Sequence, residues 1–319
     1  GGTECAVSNS RPVPGKRHSF PMRKLLLFRY RSRFGYQEHC FLPTLHSPET
    51  PGAPVKTIIS CKTLLYGGSA FSCGASLRAP RETLIVEPGI LLAPEFAATL
   101  APVELSEPHS DAGTELLRRL KQQKLAADGK IHAPPLSDFF AVQLLRKKCR
   151  ALLNCQLTEL VRENGVWNAT ICGIDGFSRI SAERIIDTTP SGWRDIGTDL
   201  IQSKYLCATL YGPPAQMPQD RLRCSSLIAG PLPGEQILRV DLPANATWHD
   251  ARLRLHDLWN ILRSSNPGLS PGGEASAMGF RYRRKPIRQN VNNGLFWIPG
   301  AQYDNLTTAF EEGWQCSWE

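Results

Sequence analysis

Apolar positions set the first elements. Thr57-Ile58-Ile59 and Thr63-Leu64-Leu65-Tyr66 are short continuous apolar runs of the kind a buried strand carries. They lead into Gly67-Gly68-Ser69 and then into a helix-like stretch that reaches about Ala79. A second run, Thr83-Leu84-Ile85-Val86, stops at Glu87-Pro88-Gly89. Strand, glycine turn, helix, strand and acid within about 30 residues make a βαβ unit.

The period then changes several times. Thr114–Ala127 places Leu116, Leu117, Leu120 and Leu125 on one helical stripe. Leu136–Cys149, behind Pro134-Pro135, predicts another helix. Leu153–Glu163 and Val166–Ile174 read as strands joined by the hairpin signal Asn164-Gly165. Asp175-Gly176 makes a second turn, and Ile180–Ile186 completes a three-stranded antiparallel meander. Further strands are expected at Lys204–Leu210 and Gln236–Asp241. Thr247 is the expected cap of a helix over Trp248–Arg263, with Leu253, Leu255, Leu258 and Leu262 apolar. The chain closes with a strand at Leu295–Ile298, Pro299-Gly300, and a helix from about Asn305 to Trp314.

Composition narrows the class. With 319 residues, 41 % apolar and 21 % charged, the chain has an ordinary globular balance. It lacks any run of about 18 apolar residues, so no transmembrane helix is expected. Ten cysteines contain no Cys-x-x-Cys pair, which leads us to expect reduced, packed thiols and no metal site. No secretory pattern is present, and a cytoplasmic protein is expected.

The net charge of +8 is uneven. Residues 1–50 carry eight Lys or Arg against three Glu, a surplus of five. A basic, aromatic-interleaved run such as Arg29–Phe34 suits phosphate backbones, but no nucleic-acid motif follows it. We therefore expect residues 1–54 to be a basic arm and linker, available to a protein partner rather than to nucleic acid or a membrane.

Chemistry enters at the glycine turn. A βαβ unit that binds a dinucleotide brings its backbone against a pyrophosphate, which favours glycine, and aims a helix N-terminus at the anion. The acid ending the second strand takes the ribose hydroxyls. Gly67, Gly68 and Ser69 fill the first role, and Glu87, 19 residues beyond Gly68, fills the second. Two fingerprint positions depart from glycine: Tyr66 takes the first and Phe71 the third, with Gly74 one helical turn later. Phe71 is expected to put a ring where a pyrophosphate needs bare backbone.

From residue 61 to 315 the chain resembles FAD-dependent oxidoreductases of the two-dinucleotide-binding-domain flavoprotein group, which has a glutathione-reductase-like fold. The blocks that carry the resemblance are the glycine turn, the meander ending Ile185-Ile186-Asp187-Thr188-Thr189-Pro190, and Gly294–Ala301 followed by Asp304–Gly313. The family has a glycine where Pro190 stands and an aspartate where Ala301 stands. The resemblance implies an α/β architecture: a Rossmann-like FAD-binding domain (55–190 and 290–319) with an inserted β-meander, and a mixed α+β substrate domain (191–289). It implies FAD as cofactor, with Thr189, Gly300, Asn305 and Leu306 joining Gly67, Gly68, Ser69 and Glu87 as binding residues. Replacing Glu87 is then expected to weaken FAD binding with the fold intact.

The activity so implied is oxidation of a small organic substrate by hydride transfer to the flavin. The alternative is a flavoprotein-derived pseudoenzyme or structural subunit. His249 and His256, seven apart on one predicted helix, are the candidate general bases, with packing or surface histidines as the plain alternative. Arg281, Arg283, Arg284 and Lys285 form a basic strand end suited to an anionic substrate or to solvent.

Overall fold

The computed structural model describes residues 56–217 and 224–316. The basic arm and linker expected at 1–54 lie outside the described residues. In chain order the elements are β1 (Lys56–Tyr66), α1 (Ala70–Arg78), β2 (Thr83–Glu87), α2 (Pro94–Ala97), β3 (Val103–Glu104) and α3 (Asp111–Gln122). They continue with β4 (Ala126–Ala127), β5 (Lys130–Ile131), α4 (Leu136–Arg146), β6 (Arg150–Leu153), β7 (Gln156–Glu163), β8 (Val166–Gly173) and β9 (Gly176–Asp187). A second set comprises β10 (Ile201–Tyr211), β11 (Ser225–Ala229), β12 (Glu235–Pro243), α5 (Trp248–Ser265), β13 (Ser270–Glu274) and β14 (Gly279–Tyr282). The last elements are β15 (Gln289–Asn292), β16 (Leu295–Trp297) and α6 (Leu306–Gln315).

The first sheet runs β15-β16-β9-β1-β2-β6, and the β7–β8 hairpin joins β9. β16, β9, β1, β2 and β6 are mutually parallel. Both faces are covered, which is why β1 and β2 read as unbroken apolar runs. Leu65 and Ile85 face a core shared with α1, α3, α4 and α6. Their neighbours Leu64, Tyr66, Leu84 and Val86 face the meander, against Leu157, Trp167 and Ile171. Asn164 (φ 50°) and Gly165 (φ 82°) make the left-handed pair that a two-residue hairpin requires.

Two helices end earlier than the sequence pattern predicts. α3 stops at Gln122 and α4 at Arg146, where the expected ends were Ala127 and Cys149. Lys124 and Lys148 both turn left-handed, at φ 57° and 56°. Leu125 N then donates to Leu120 O and Cys149 N to Leu144 O, the six-to-one bond that closes a helix C-terminus. Glycine usually marks such an end; lysine in its place left no signal.

The second sheet, β11-β12-β10-β13 with β14 beside β10, is antiparallel. Its even-numbered β10 residues face α5: Lys204 Nζ donates to Ala246 O, and Leu206 and Leu210 share a core with Leu255, Leu258 and Leu262. The predicted cap is present as a full box. Thr247 Oγ1 accepts from Asp250 N at 3.2 Å, and the Asp250 carboxylate accepts from Thr247 N at 3.0 Å. Thr247→Ala should therefore cost about 1 kcal/mol of stability, measured by chemical denaturation, because an orphan donor of the first turn loses its partner.

Candidate functional site

Parallel sheets of this kind carry their ligands beyond the carboxyl ends of the strands. There β1, β2, β9 and β16 end in Tyr66, Glu87, Asp187 and Trp297. Gly67 leaves β1 at φ +102°, and a Cβ there would stand 2.5 Å from Thr188 Oγ1. Only glycine makes that turn against that neighbour. Thr188 Oγ1 donates to Gly67 O at 3.0 Å, tying the end of β9 to the turn.

Ser69 caps α1, accepting from Ser72 N at 3.1 Å. Ala70 N, the first helical donor, is taken by a carboxylate oxygen, Glu95 Oε1, at 2.8 Å. Glu95 comes from α2, and its Oε2 is sealed from solvent without a hydrogen-bond partner. Burial pushes Glu95 up to about 7 against the opposing pull of the Ala70 N–H. Gly300 packs onto the Ser69 side chain so closely that a Cβ would collide with it, and Gly300 N donates to Thr188 O at 2.9 Å.

Glu87 is buried and fully engaged. Its Oε2 accepts from Gly68 N at 2.5 Å and its Oε1 from Gly89 N at 2.6 Å. Burial raises its pKa, and the two backbone donors hold it down. Asp187, 1 % exposed, accepts from Thr189 N at 2.9 Å, Thr189 Oγ1 at 2.6 Å and Trp193 N. Burial lifts Asp187 to about 6. Thr189 thus serves Asp187, while its carbonyl accepts from Trp297 Nε1 at 2.9 Å.

Several sequence expectations change here. Phe71 does not obstruct the turn: it is fully buried and stacked on Tyr303, with ring centroids 6.3 Å apart. The close approach that the third fingerprint glycine would allow is moved to the α1–α6 contact. A Cβ on Gly74 would strike Phe310 O, and one on Gly313 would strike Phe71 O. Gly74 therefore serves helix–helix packing, not the helix–strand packing its position suggested.

Asn305 caps α6 and is engaged within the chain. Asn305 Oδ1 accepts from Thr307 N and Thr308 N at 2.8 and 3.2 Å, and its Nδ2 donates to Glu104 O. Those first-turn donors of α6 are used within the chain, and Leu306 is fully buried. Cys73, just inside α1, is a packed thiol pushed well above its ordinary pKa by burial.

His249 and His256 lie on α5, behind the second sheet. His256 faces Glu274 at 3.4 Å, on the even-numbered side of β10. The odd-numbered face looks the other way. There Tyr205 lies between the guanidinium groups of Arg239 and Arg281, each 5.9 Å from its ring centre, with Asp241 bridging the two arginines. Ala98 O, just past α2, accepts from Ser276 N and Ala277 N at 2.9 and 3.1 Å. Tyr282 Oη donates to Pro190 O at 2.8 Å. This face, and neither histidine, joins the loops of the first sheet. Sequence reasoning missed Glu95, Asp187 and Tyr205. Of these, only Asp187 stood inside a motif block.

Among the described residues, no group of three or more His, Cys, Asp or Glu could hold a metal ion, and no helix is long and apolar enough to cross a membrane. No family model matches the chain. No curated protein matches it in sequence. Solved structures do match in fold. The p-nitrophenol 4-monooxygenase PnpA from Pseudomonas putida superposes with a TM-score of 0.57 at 11% identity, covering 80% of this chain and 78% of that one. A geranylgeranyl bacteriochlorophyll reductase-like protein from Thermoplasma acidophilum gives 0.57 at 12% identity, covering 81% and 77%. The myxobacterial chondrochloren halogenase CndH, a variant of the FAD-dependent halogenases, gives 0.51 at 12% identity, covering 80% and 73%. The fold is the Rossmann-like fold of FAD-binding flavoproteins.

Proposed function

We propose that the chain binds FAD along the carboxyl edge of the first sheet and oxidises a small organic substrate. One observation carries this reading: the N-terminus of α1 already holds an acidic oxygen group, with the Ala70 N–H on the Glu95 carboxyl beside the Gly67 turn and the acid that ends β2. That donor set suits a pyrophosphate, so the residues present fit the group. Gly67 and Gly68, whose own N–H groups are held by Val86 O and Glu87, would let the pyrophosphate approach; the Ser69 and Ala70 amides would hold it and Glu87 would face the ribose. Thr189 and Gly300 would line the remainder, and Asn305 and Leu306 would act indirectly by seating α6.

When bound, the flavin supplies the hydride acceptor. The chain's own part is binding, orientation and exclusion of water. Arg239 and Arg281, stacked on Tyr205, give the second sheet a cationic face toward the loops of the first. An anionic small substrate is the class it suits. In this reading residues 55–190 and 290–319 serve the cofactor and 191–289 the substrate. The glutathione-reductase-like subdivision, a cytoplasmic setting and a protein partner for the basic arm belong to the same proposal.

A second reading, a flavoprotein-derived relic without cofactor, is favoured by Glu87, whose two oxygens are both taken by backbone N–H groups. An absorbance spectrum and an FAD titration decide between the two. The first reading expects a flavin band near about 450 nm that survives desalting of FAD-loaded protein. Absence of saturable binding at tens of micromolar FAD overturns it.

A further inference from the structure

The segment after β2 is built as a strap across the glycine turn. Ala93 N donates to Gly68 O at 2.7 Å, and the Leu92 side chain lies 3.0 Å from where a Gly68 Cβ would stand. Ala93 and Leu100 both sit in the left-handed region, at φ 48° and 51°, although neither is glycine. Such residues are sparsely populated there and persist only where the surroundings hold them. They bracket α2, a single turn of helix that carries Glu95. Beyond α2 the strap is fastened by Ala98 O to the Ser276 and Ala277 amides.

At the centre of this strap the Glu95 carboxylate is only half satisfied. Oε1 receives Ala70 N, and Oε2 is buried with no donor. A Cβ on Gly300 would lie 3.4 Å from Oε1, so the carboxylate fills the gap between the α1 N-terminus and the loop after β16. A carboxylate left half paired in a buried place is poorly held compared with one fully hydrogen-bonded.

We propose that Glu95 is a built-in competitor for the pyrophosphate of a dinucleotide: it occupies the Ala70 N–H in the closed chain, and the Ala93–Leu100 strap leaves when the dinucleotide binds. The inference rests on the FAD reading for the identity of the ligand, but the displacement itself concerns any pyrophosphate anion. The Glu95 carboxyl fills the space in front of the Ala70 N–H, so it and a phosphate oxygen cannot both take that donor, and binding and closure exclude each other. Because Ala98 fastens the strap to the second sheet, its release also frees the Ser276–Ala277 amides.

The test compares the wild-type chain with Glu95→Gln and Glu95→Ala, and uses Glu115→Gln, on the exposed face of α3, as a control for lost negative charge. Glu95→Gln keeps the side-chain length and an acceptor for Ala70 N, so it guards against a variant that fails to fold. Melting temperatures with and without millimolar inorganic pyrophosphate, and FAD titrations followed by flavin fluorescence, are the readouts. Glu95→Ala, which removes the acceptor, should be stabilised by pyrophosphate more than wild type and should bind FAD on the order of tenfold tighter, with Glu95→Gln, a neutral and weaker acceptor, in between. Pyrophosphate stabilisation confined to the Glu95 variants, with FAD bound by none of the chains, keeps the competitor and removes the FAD reading. Equal pyrophosphate response in all four chains, or equal FAD affinity in wild type and both Glu95 variants, overturns the proposal.

Discussion

Between about pH 4 and pH 7 the protein is expected to lose on the order of 5 kcal/mol of stability, the reverse of ordinary acid denaturation. Two carboxyls set the sign. Asp187 rises from 3.8 to about 6 and Glu95 from 4.5 to about 7, both because burial penalises the charged form. A carboxyl whose folded pKa lies above its unfolded one binds more protons in the native state. Its contribution is fully present below the unfolded value and is lost as pH rises through the folded one. Each shift of about two units corresponds to about 3 kcal/mol. Glu115, held near 2 by Arg118 and Arg119, acts in the opposite direction, but its window closes below pH 4.5. Urea midpoints at about pH 5 and about pH 8 should differ in wild type, and Asp187→Asn and Glu95→Gln should each flatten the difference. A midpoint that climbs with pH over that range would show that both acids ionise without cost where they are buried.

The βαβ unit, the meander and the α5 helix were legible because each signal was local. Strand runs stopped at glycine or acid, Asn164-Gly165 demands a left-handed pair, and Thr247 with Asp250 forms a box within four residues. The ends of α3 and α4 were not legible, because Lys124 and Lys148 do by tertiary fit what glycine does by freedom of backbone. The site was legible in outline. Gly67 and Glu87 stand where spacing put them, at the ends of adjacent parallel strands. What spacing does not carry is how the surrounding chain uses their donors and acceptors.

Glu95 shows this most directly. It follows a proline in a stretch without helical or strand period, so nothing in the sequence connects it with Ala70, 25 residues earlier. The same limit explains Phe71. Its position in the fingerprint suggested a blocked turn, whereas the first turn of α1 rotates the ring into the core against Tyr303, and it is the Leu92–Ala93 segment, not Phe71, that covers the turn. His249 and His256 share a helix face as their spacing predicts, but the pleat of β10 puts that face on the side of the sheet away from the first-sheet loops.

Glu87→Ala should destabilise the fold itself, by on the order of 3–5 kcal/mol, in addition to any effect on a dinucleotide. The sequence expectation was a variant that folds normally and loses only ribose contacts. The structure assigns the carboxylate a prior duty. Both oxygens accept backbone donors, Gly68 N on one side of the turn and Gly89 N on the other. Glu87 is 5 % exposed, so neither amide gains ready access to water when the side chain is cut back. A charge-assisted bond of this kind is worth about 1.5–3 kcal/mol, and two are lost together. Glu87→Gln retains a single carbonyl acceptor and should fall between wild type and alanine. Denaturation midpoints for the three chains, measured without added nucleotide, separate this structural role from cofactor binding. If alanine matches wild type there and differs only in FAD titration, Glu87 acts on the ligand alone and the turn holds its shape without it.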